Sequence, residues 1–139
     1  LQVRKCMTDL TDVQREILAG CSGDFEDLSS IVNFMTKAGT ILRHLTLEEL
    51  QERVLENLKP LLEAKLIQAG NVDSTGLHLK PWALCTDGII DRIRKEWNEH
   101  LREGVPWPDP WEIVCFVSTV EGDRALSEGK KRNVHTEEG

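Results

Sequence analysis

Apolar residues recur at three- and four-residue steps in three successive runs of this chain, and each run predicts a helix. Leu10, Val13, Ile17, Leu18 and Cys21 form the first stripe. It opens at "TDVQ", where Thr11 and Gln14 have capping-box spacing, each side chain satisfying an amide that the first turn leaves free. Glycine in "GCSGD" stops it. The second run is "FEDLSSIVNFMTKA", with Asp24 as its expected cap and Phe25, Leu28, Ile31, Val32 and Met35 on one face. After "GTILRH" the third run opens on another capping box, Thr46 with Glu49. Leu47, Leu50, Val54, Leu55, Leu58, Leu61 and Leu62 then give a stripe about as wide as a surface helix can bury. Pro60 lies within it. Its ring clashes with the Glu56 carbonyl and its nitrogen cannot donate, which predicts a kink or a restart near Lys59.

The period then changes. "KLIQAGNV" reads as a strand that begins where the third helix ends. Residues 111–118, "WEIVCFVS", are rich in β-branched and aromatic side chains and predict a second strand, antiparallel to residues 66–72. About forty residues separate the two, too many for a bare loop. A fourth amphipathic helix over 88–102 occupies that interval, with Thr86 or Asp87 as cap and Ile89, Ile90, Ile93, Trp97 and Leu101 along one side. The prolines of "GVPWPDPW" force an extended approach to the second strand, and "STVEGDRALSEG" suits a short last helix. "KKRNVHTEEG" has no apolar period and is expected to be a mobile tail. At 139 residues the expected organisation is one domain over 1–128, with a helical insertion at about 73–108, and a flexible polar tail over 129–139.

Charge narrows the functional classes. The formal net charge is −7, spread evenly: residues 1–70 hold 8 Lys/Arg and 11 Asp/Glu, residues 71–139 hold 9 and 13. Such a surface repels polyphosphate, so a nucleic-acid role would need a local basic patch. Cys6, Cys21, Cys85 and Cys115 are dispersed, as are His44, His78, His100 and His135. His78 and Cys85 share a loop, but no pair has the close spacing of structural zinc, and neither metal nor cofactor is expected. Cys21 and Cys115 fall in apolar phase and read as small core residues. No apolar run reaches the length of a membrane span and no leader pattern is present, so a cytoplasmic protein is expected. Leu1 with Met7 close behind suggests a trimmed beginning or a start at Met7.

Three helices, the third running into a strand, then a partner strand ending in "ST-x-EG", resemble the winged helix-turn-helix superfamily. "VLENLKPLLEAKLIQAG" is similar to its helix-into-strand passage, and "CFVSTVEGDRAL" resembles its return strand, where a Thr or Ser caps the next helix and a Gly follows. The resemblance covers roughly 10–72 and 111–127 and extends to small bacterial proteins with this order of elements. It implies an α+β, mostly helical fold: a winged-helix-like three-helix core, a two- or three-stranded antiparallel wing and an inserted helix. Pro60 and the insertion are departures, and the insertion turns the wing tip into a packed element.

In DNA-binding members of the superfamily the front of the third helix enters the major groove. Here residues 46–58 carry Glu48, Glu49, Glu52 and Glu56 against one base, Arg53. Gln51 or Asn57 could address adenine, yet base contacts of about 1–3 kcal/mol each do not outweigh several carboxylates set against phosphates. A solvated acidic face, favoured by the helix N-terminal dipole, is the simpler account. Arg92, Arg94, Lys95 and Arg102 alternate with acids on the fourth helix at spacings that suit intrahelical ion pairs. Trp82, Trp107 and Trp111 lie in proline-flanked stretches, which suit interface anchors or a seal between insertion and core. "GDFED" and "CSGD" read as cap and turn, and no catalytic motif is present.

The expectation is a non-enzymatic protein that binds another protein or a second copy of itself, of adaptor, anti-factor or immunity type. Its candidate partner-binding residues are Glu48, Glu49, Glu52, Arg53, Glu56, Trp82, Trp107 and Trp111. The alternative is a winged-helix DNA-binding transcriptional regulator, with Gln51, Arg53, Asn57, Arg92, Arg94 and Lys95 as contacts.

Overall fold

Thr11 opens the first helix as its spacing predicts: its hydroxyl accepts from the Gln14 amide at 3.1 Å, and Gln14 Oε1 accepts from the Thr11 amide at 3.0 Å. The helix, α1 (Asp12–Cys21), buries Ile17, Leu18 and Cys21, and an Asp12–Arg15 ion pair lies on its outside. The computed structural model describes residues 10–38, 45–104 and 113–128.

The second helix differs at its start. Residues Glu26–Asp27 are a short strand, β1, and α2 runs Leu28–Ala38. Asp27, not Asp24, caps it, accepting from the Ser30 amide at 2.8 Å. Asp24 accepts only from the adjacent Phe25 amide, and Phe25 lies half-buried ahead of the helix. Either aspartate could cap by residue type; pairing of Glu26 with Phe116 on the strand opposite holds the backbone extended and delays the helix.

The third helix, α3 (Leu47–Glu63), has the expected Thr46–Glu49 box. It runs unbroken through Pro60, so of the expected kink or restart near Lys59 the restart is not found. Leu50, Val54, Leu55, Leu58, Leu61 and Leu62 are buried, whereas Leu47, on the exposed first turn, is 45 % accessible and leaves the predicted stripe. The helix ends on Lys65, which takes a left-handed φ of 58° while the Lys65 and Leu66 amides bond back to Leu62 and Leu61. Those bonds satisfy carbonyls the last turn would leave free and turn the chain into β2 (Ile67–Val72).

The predicted strand pair is present: β2 is antiparallel to β4 (Cys115–Ser118), with Ile67 opposite Ser118 and Gly70 opposite Cys115. Strand β4 starts later than the predicted 111; Ile113 and Val114 are buried but outside it, and residues 111–112 lie outside the described residues. The sheet has four strands rather than two or three, in the order β1-β4-β2-β3, all antiparallel. Besides β1, the unforeseen strand is β3 (Leu79–Pro81), folded back on β2 by a turn in which Asp73 accepts from the Thr75 amide and hydroxyl.

The inserted helix, α4 (Thr86–Arg102), takes Cys85 as N-cap with no side-chain capping bond, so neither Thr86 nor Asp87 caps it. Ile89, Ile90, Ile93 and Trp97 are buried and Leu101 is half-buried. A fifth helix, α5 (residues 120–128), follows β4 with Thr119 as cap, its hydroxyl accepting from the Gly122 amide at 3.0 Å. The resulting fold is α+β: five helices and one antiparallel sheet among the described residues, with a common core that includes Leu18, Val32, Leu58, Ile93 and Phe116. Cys21 and Cys115 are buried, as their apolar phase predicts, and burial pushes both thiols up to about 12, assisted by Glu26 at Cys21 and by Asp27 at Cys115. None of the described helices is long and apolar enough to cross a membrane.

Candidate partner-binding surfaces

The acidic front of α3 and the basic side of α4 meet each other. Arg94 sets its guanidinium fork on the Glu52 carboxylate, Nε to Oε2 at 2.9 Å and Nη2 to Oε1 at 3.0 Å, and holds Asp91 at 3.2 Å. That two-pronged bond lowers the Glu52 carboxyl and raises the Arg94 guanidinium from their ordinary values. Beside it Gln51, only 3 % exposed, donates from Nε2 to Asn98 Oδ1 at 2.9 Å. Near the other end of the contact Lys59 approaches Asp87 at 3.6 Å. The buried stripe of α4 places these pairs. Ile90, Ile93 and Trp97 turn into the core, which presents Asp91, Arg94 and Asn98 towards α3.

Within the described residues each sequence candidate has a place. Glu49 closes the capping box, and the Thr46 amide it accepts from lowers its carboxyl. Glu48, Arg53 and Glu56 are exposed. Asn57 turns its amide to the Arg53 carbonyl at 2.8 Å. Arg92 pairs with Glu96 at 2.7 Å, the intrahelical pairing its spacing predicts, and stacks on the Trp82 ring 3.9 Å from its centroid. Of the six residues weighed for nucleic acid, Gln51, Asn57, Arg92 and Arg94 are thus committed within the protein, while Arg53 and Lys95 stand exposed. Trp107 and Trp111, and the tail over 129–139, lie outside the described residues. A polar cleft of about 660 Å³ runs beside this contact, lined by Glu48 and by Asp91, Arg94, Lys95, Asn98, Leu101 and Arg102.

Trp82 does two things. Its indole N–H donates to Asn71 Oδ1 at 2.7 Å, and Asn71 in turn donates to the Ile113 carbonyl at 3.2 Å, which straps the chain before α4 onto β2 and the approach to β4. The half-buried ring also lines a groove of about 490 Å³ with Ile67, Ala69, Leu84, Ile89 and Val120. Leu84 is 46 % and Val120 74 % exposed, so two large apolar side chains flank an apolar groove that already holds an aromatic ring. Sequence reasoning found Trp82 and missed Leu84 and Val120. "KPWAL" and "STVEGD" contain both residues, but only the fold brings the two stretches, 38 positions apart by their numbers (82 and 120), to one place.

Among the described residues no group of three or more His, Cys, Asp or Glu side chains is placed to hold a metal ion, and His78 and Cys85 are separated by β3. Comparison with protein-family models, with curated proteins and with solved structures returned no match.

Proposed function

We propose that this chain is a non-enzymatic, winged-helix-like cytoplasmic module that binds another protein rather than DNA. The observation that carries the reading is the covering of α3 by α4: Gln51 is buried against Asn98 and Glu52 is occupied by Arg94. A helix cannot lie in a major groove on a face that another helix already occupies. What α3 leaves exposed, Glu48 and Glu56 with Arg53, is net acidic and repels phosphate. The winged-helix reading draws on the order of elements, three helices with the third leading into β2, and on the antiparallel return of β4.

The groove of Trp82, Leu84 and Val120 is the partner surface in this account. A half-buried aromatic with exposed aliphatics beside it is what interfaces use as anchors, because little side-chain entropy is lost on docking. A photo-crosslinking residue at Val120, compared with one at the exposed Asp12, tests this in cells. The reading expects a discrete protein adduct at 120, absent at 12 and abolished by Leu84→Asp. Equal adducts at both positions, or crosslinks to nucleic acid alone, would overturn it. The second reading, a winged-helix DNA-binding regulator, draws on Lys95 and Arg102, which line the polar cleft and make no ion pair among the described residues.

A further inference from the structure

Between α1 and α2 lies another cleft, about 370 Å³, walled by Ile17, Ile31 and Phe34 and bounded by Gly20 in the last turn of α1. Glu26 reaches it from β1, and the exposed Glu16 also lines it. Gly20 makes room for that carboxylate: a Cβ there would stand 2.5 Å from Glu26 Oε2. Its φ is not in the left-handed region, so the glycine serves space and not backbone conformation. The last turn of α1 contains no basic residue, which leaves the negative end of its dipole without a counter-charge from its own helix. Ser30 also lines the cleft, and no cation pairs with Glu26 among the described residues.

We propose that this cleft docks a lysine side chain of a partner protein, the ammonium on Glu26 and the aliphatic stem along Ile17, Ile31 and the Phe34 ring. A carboxylate beside apolar walls is the complement of a cation on a hydrocarbon stem, and Phe34 adds an aromatic side chain to those walls. Because Glu26 Oε2 lies against Gly20, where an added Cβ would stand 2.5 Å away, one carboxylate oxygen is shielded and a single point charge fits better than the two-pronged fork of arginine. Burial, with Asp27 and Asp24 adding repulsion, holds the Glu26 carboxyl above its ordinary range, a cost that an incoming ammonium would offset. The identification of the source as a protein rests on the function proposed above; the cleft itself does not.

The test is a two-dimensional amide NMR titration of the whole chain with Nα-acetyl-lysine methylamide, against the norleucine and arginine counterparts. The expected result is saturable lysine binding in the millimolar range, with shifts centred on Gly20, Glu26, Ser30 and Phe34, weaker for arginine and absent for norleucine. Glu26→Gln, nearly isosteric, should weaken it at least about tenfold. Gly20→Ala, which keeps every charge and displaces the carboxylate, should do the same. No saturable shift in the wild type, equal response to norleucine, or unchanged affinity in either folded variant overturns the proposal. Should lysine fail here while the Val120 crosslink forms, the cleft is refuted and the protein-binding function stands; the reverse outcome separates them the other way.

Discussion

Gly122→Ala is the substitution for which helix propensity and the structure disagree in sign. Alanine in place of a helical glycine ordinarily stabilises by about 1 kcal/mol. At 122 the added Cβ would stand 2.1 Å from the Leu66 carbonyl oxygen and 3.1 Å from Leu18 Cδ1, and the first is a backbone atom that no rotamer change can move. Relief requires α5 to shift away from the α3–β2 junction. Two bonds tie it there, the Thr119 amide to the Leu66 carbonyl at 3.0 Å and the Thr119 hydroxyl to the Lys65 carbonyl at 2.6 Å. Overpacking costs about 1–3 kcal/mol, and the two weakened bonds together about 1 kcal/mol more. After the propensity gain, a net loss of roughly 1–3 kcal/mol remains. Urea denaturation, at a slope of about 2 kcal/mol/M, should show the midpoint lower by about 0.5–1.5 M with the slope unchanged. Gly88→Ala is the control, because its Cβ would meet nothing closer than 3.4 Å in the first turn of α4. It should be neutral or stabilising. A Gly122→Ala protein as stable as the Gly88→Ala protein would mean that α5 is not held against the Leu66 carbonyl.

Leu58, fully buried in α3, should cost roughly 2–5 kcal/mol on change to Ala, read as a lower urea midpoint; an unchanged midpoint would mean the stripe does not face the core. Of the described thiols, exposed Cys85 should react with a disulfide reagent in the folded protein, while Cys21 and Cys115, buried and pushed up to about 12, should react only on unfolding. Glu52 has its folded-state pKa lowered, so its contribution is present above the ordinary carboxylate value and is lost as pH falls through the lowered one. Arg94→Ala should therefore flatten the stability-versus-pH curve in that acidic window, by about 1 kcal/mol or less because both side chains are partly solvated. An identical acid limb in wild type and variant would show that the pair contributes nothing.

The elements legible in the sequence were those whose signal is local. Capping boxes at Thr11 and Thr46, and apolar steps through Ile17, Leu58 and Ile93, depend only on neighbours within a few residues. Pairing of β2 with β4 could be read because the helical period ends at Ile67, and Phe116 and Val117 are strong strand formers. Strand β1 could not, since Glu26 and Asp27 are poor strand formers and are extended only because β4 pairs with them. Strand β3 was hidden by Pro81 and by its brevity; Asp73, Thr75 and Gly76 were the turn signal that could have exposed it. The site divides the same way. Intrahelical Arg92–Glu96 follows from spacing, but Glu52–Arg94 and Gln51–Asn98 join residues 42 and 47 positions apart and need the fold before they can be seen.

On the proposed function α3 does not read DNA, because Arg94 and Asn98 of α4 occupy Glu52 and Gln51. Fluorescence anisotropy with a labelled random duplex at low salt tests that most directly, on the wild type and on the Glu48→Gln, Glu56→Gln double variant. Both residues are exposed, so neither change disturbs the interhelical contact. The account predicts weak, non-saturating binding by the wild type and a modest rise for the variant as carboxylate repulsion is removed. Tight wild-type binding that falls steeply with salt and is lost on Lys95→Ala with Arg102→Ala, or on the double glutamate change, would contradict it and make the chain a DNA-binding regulator.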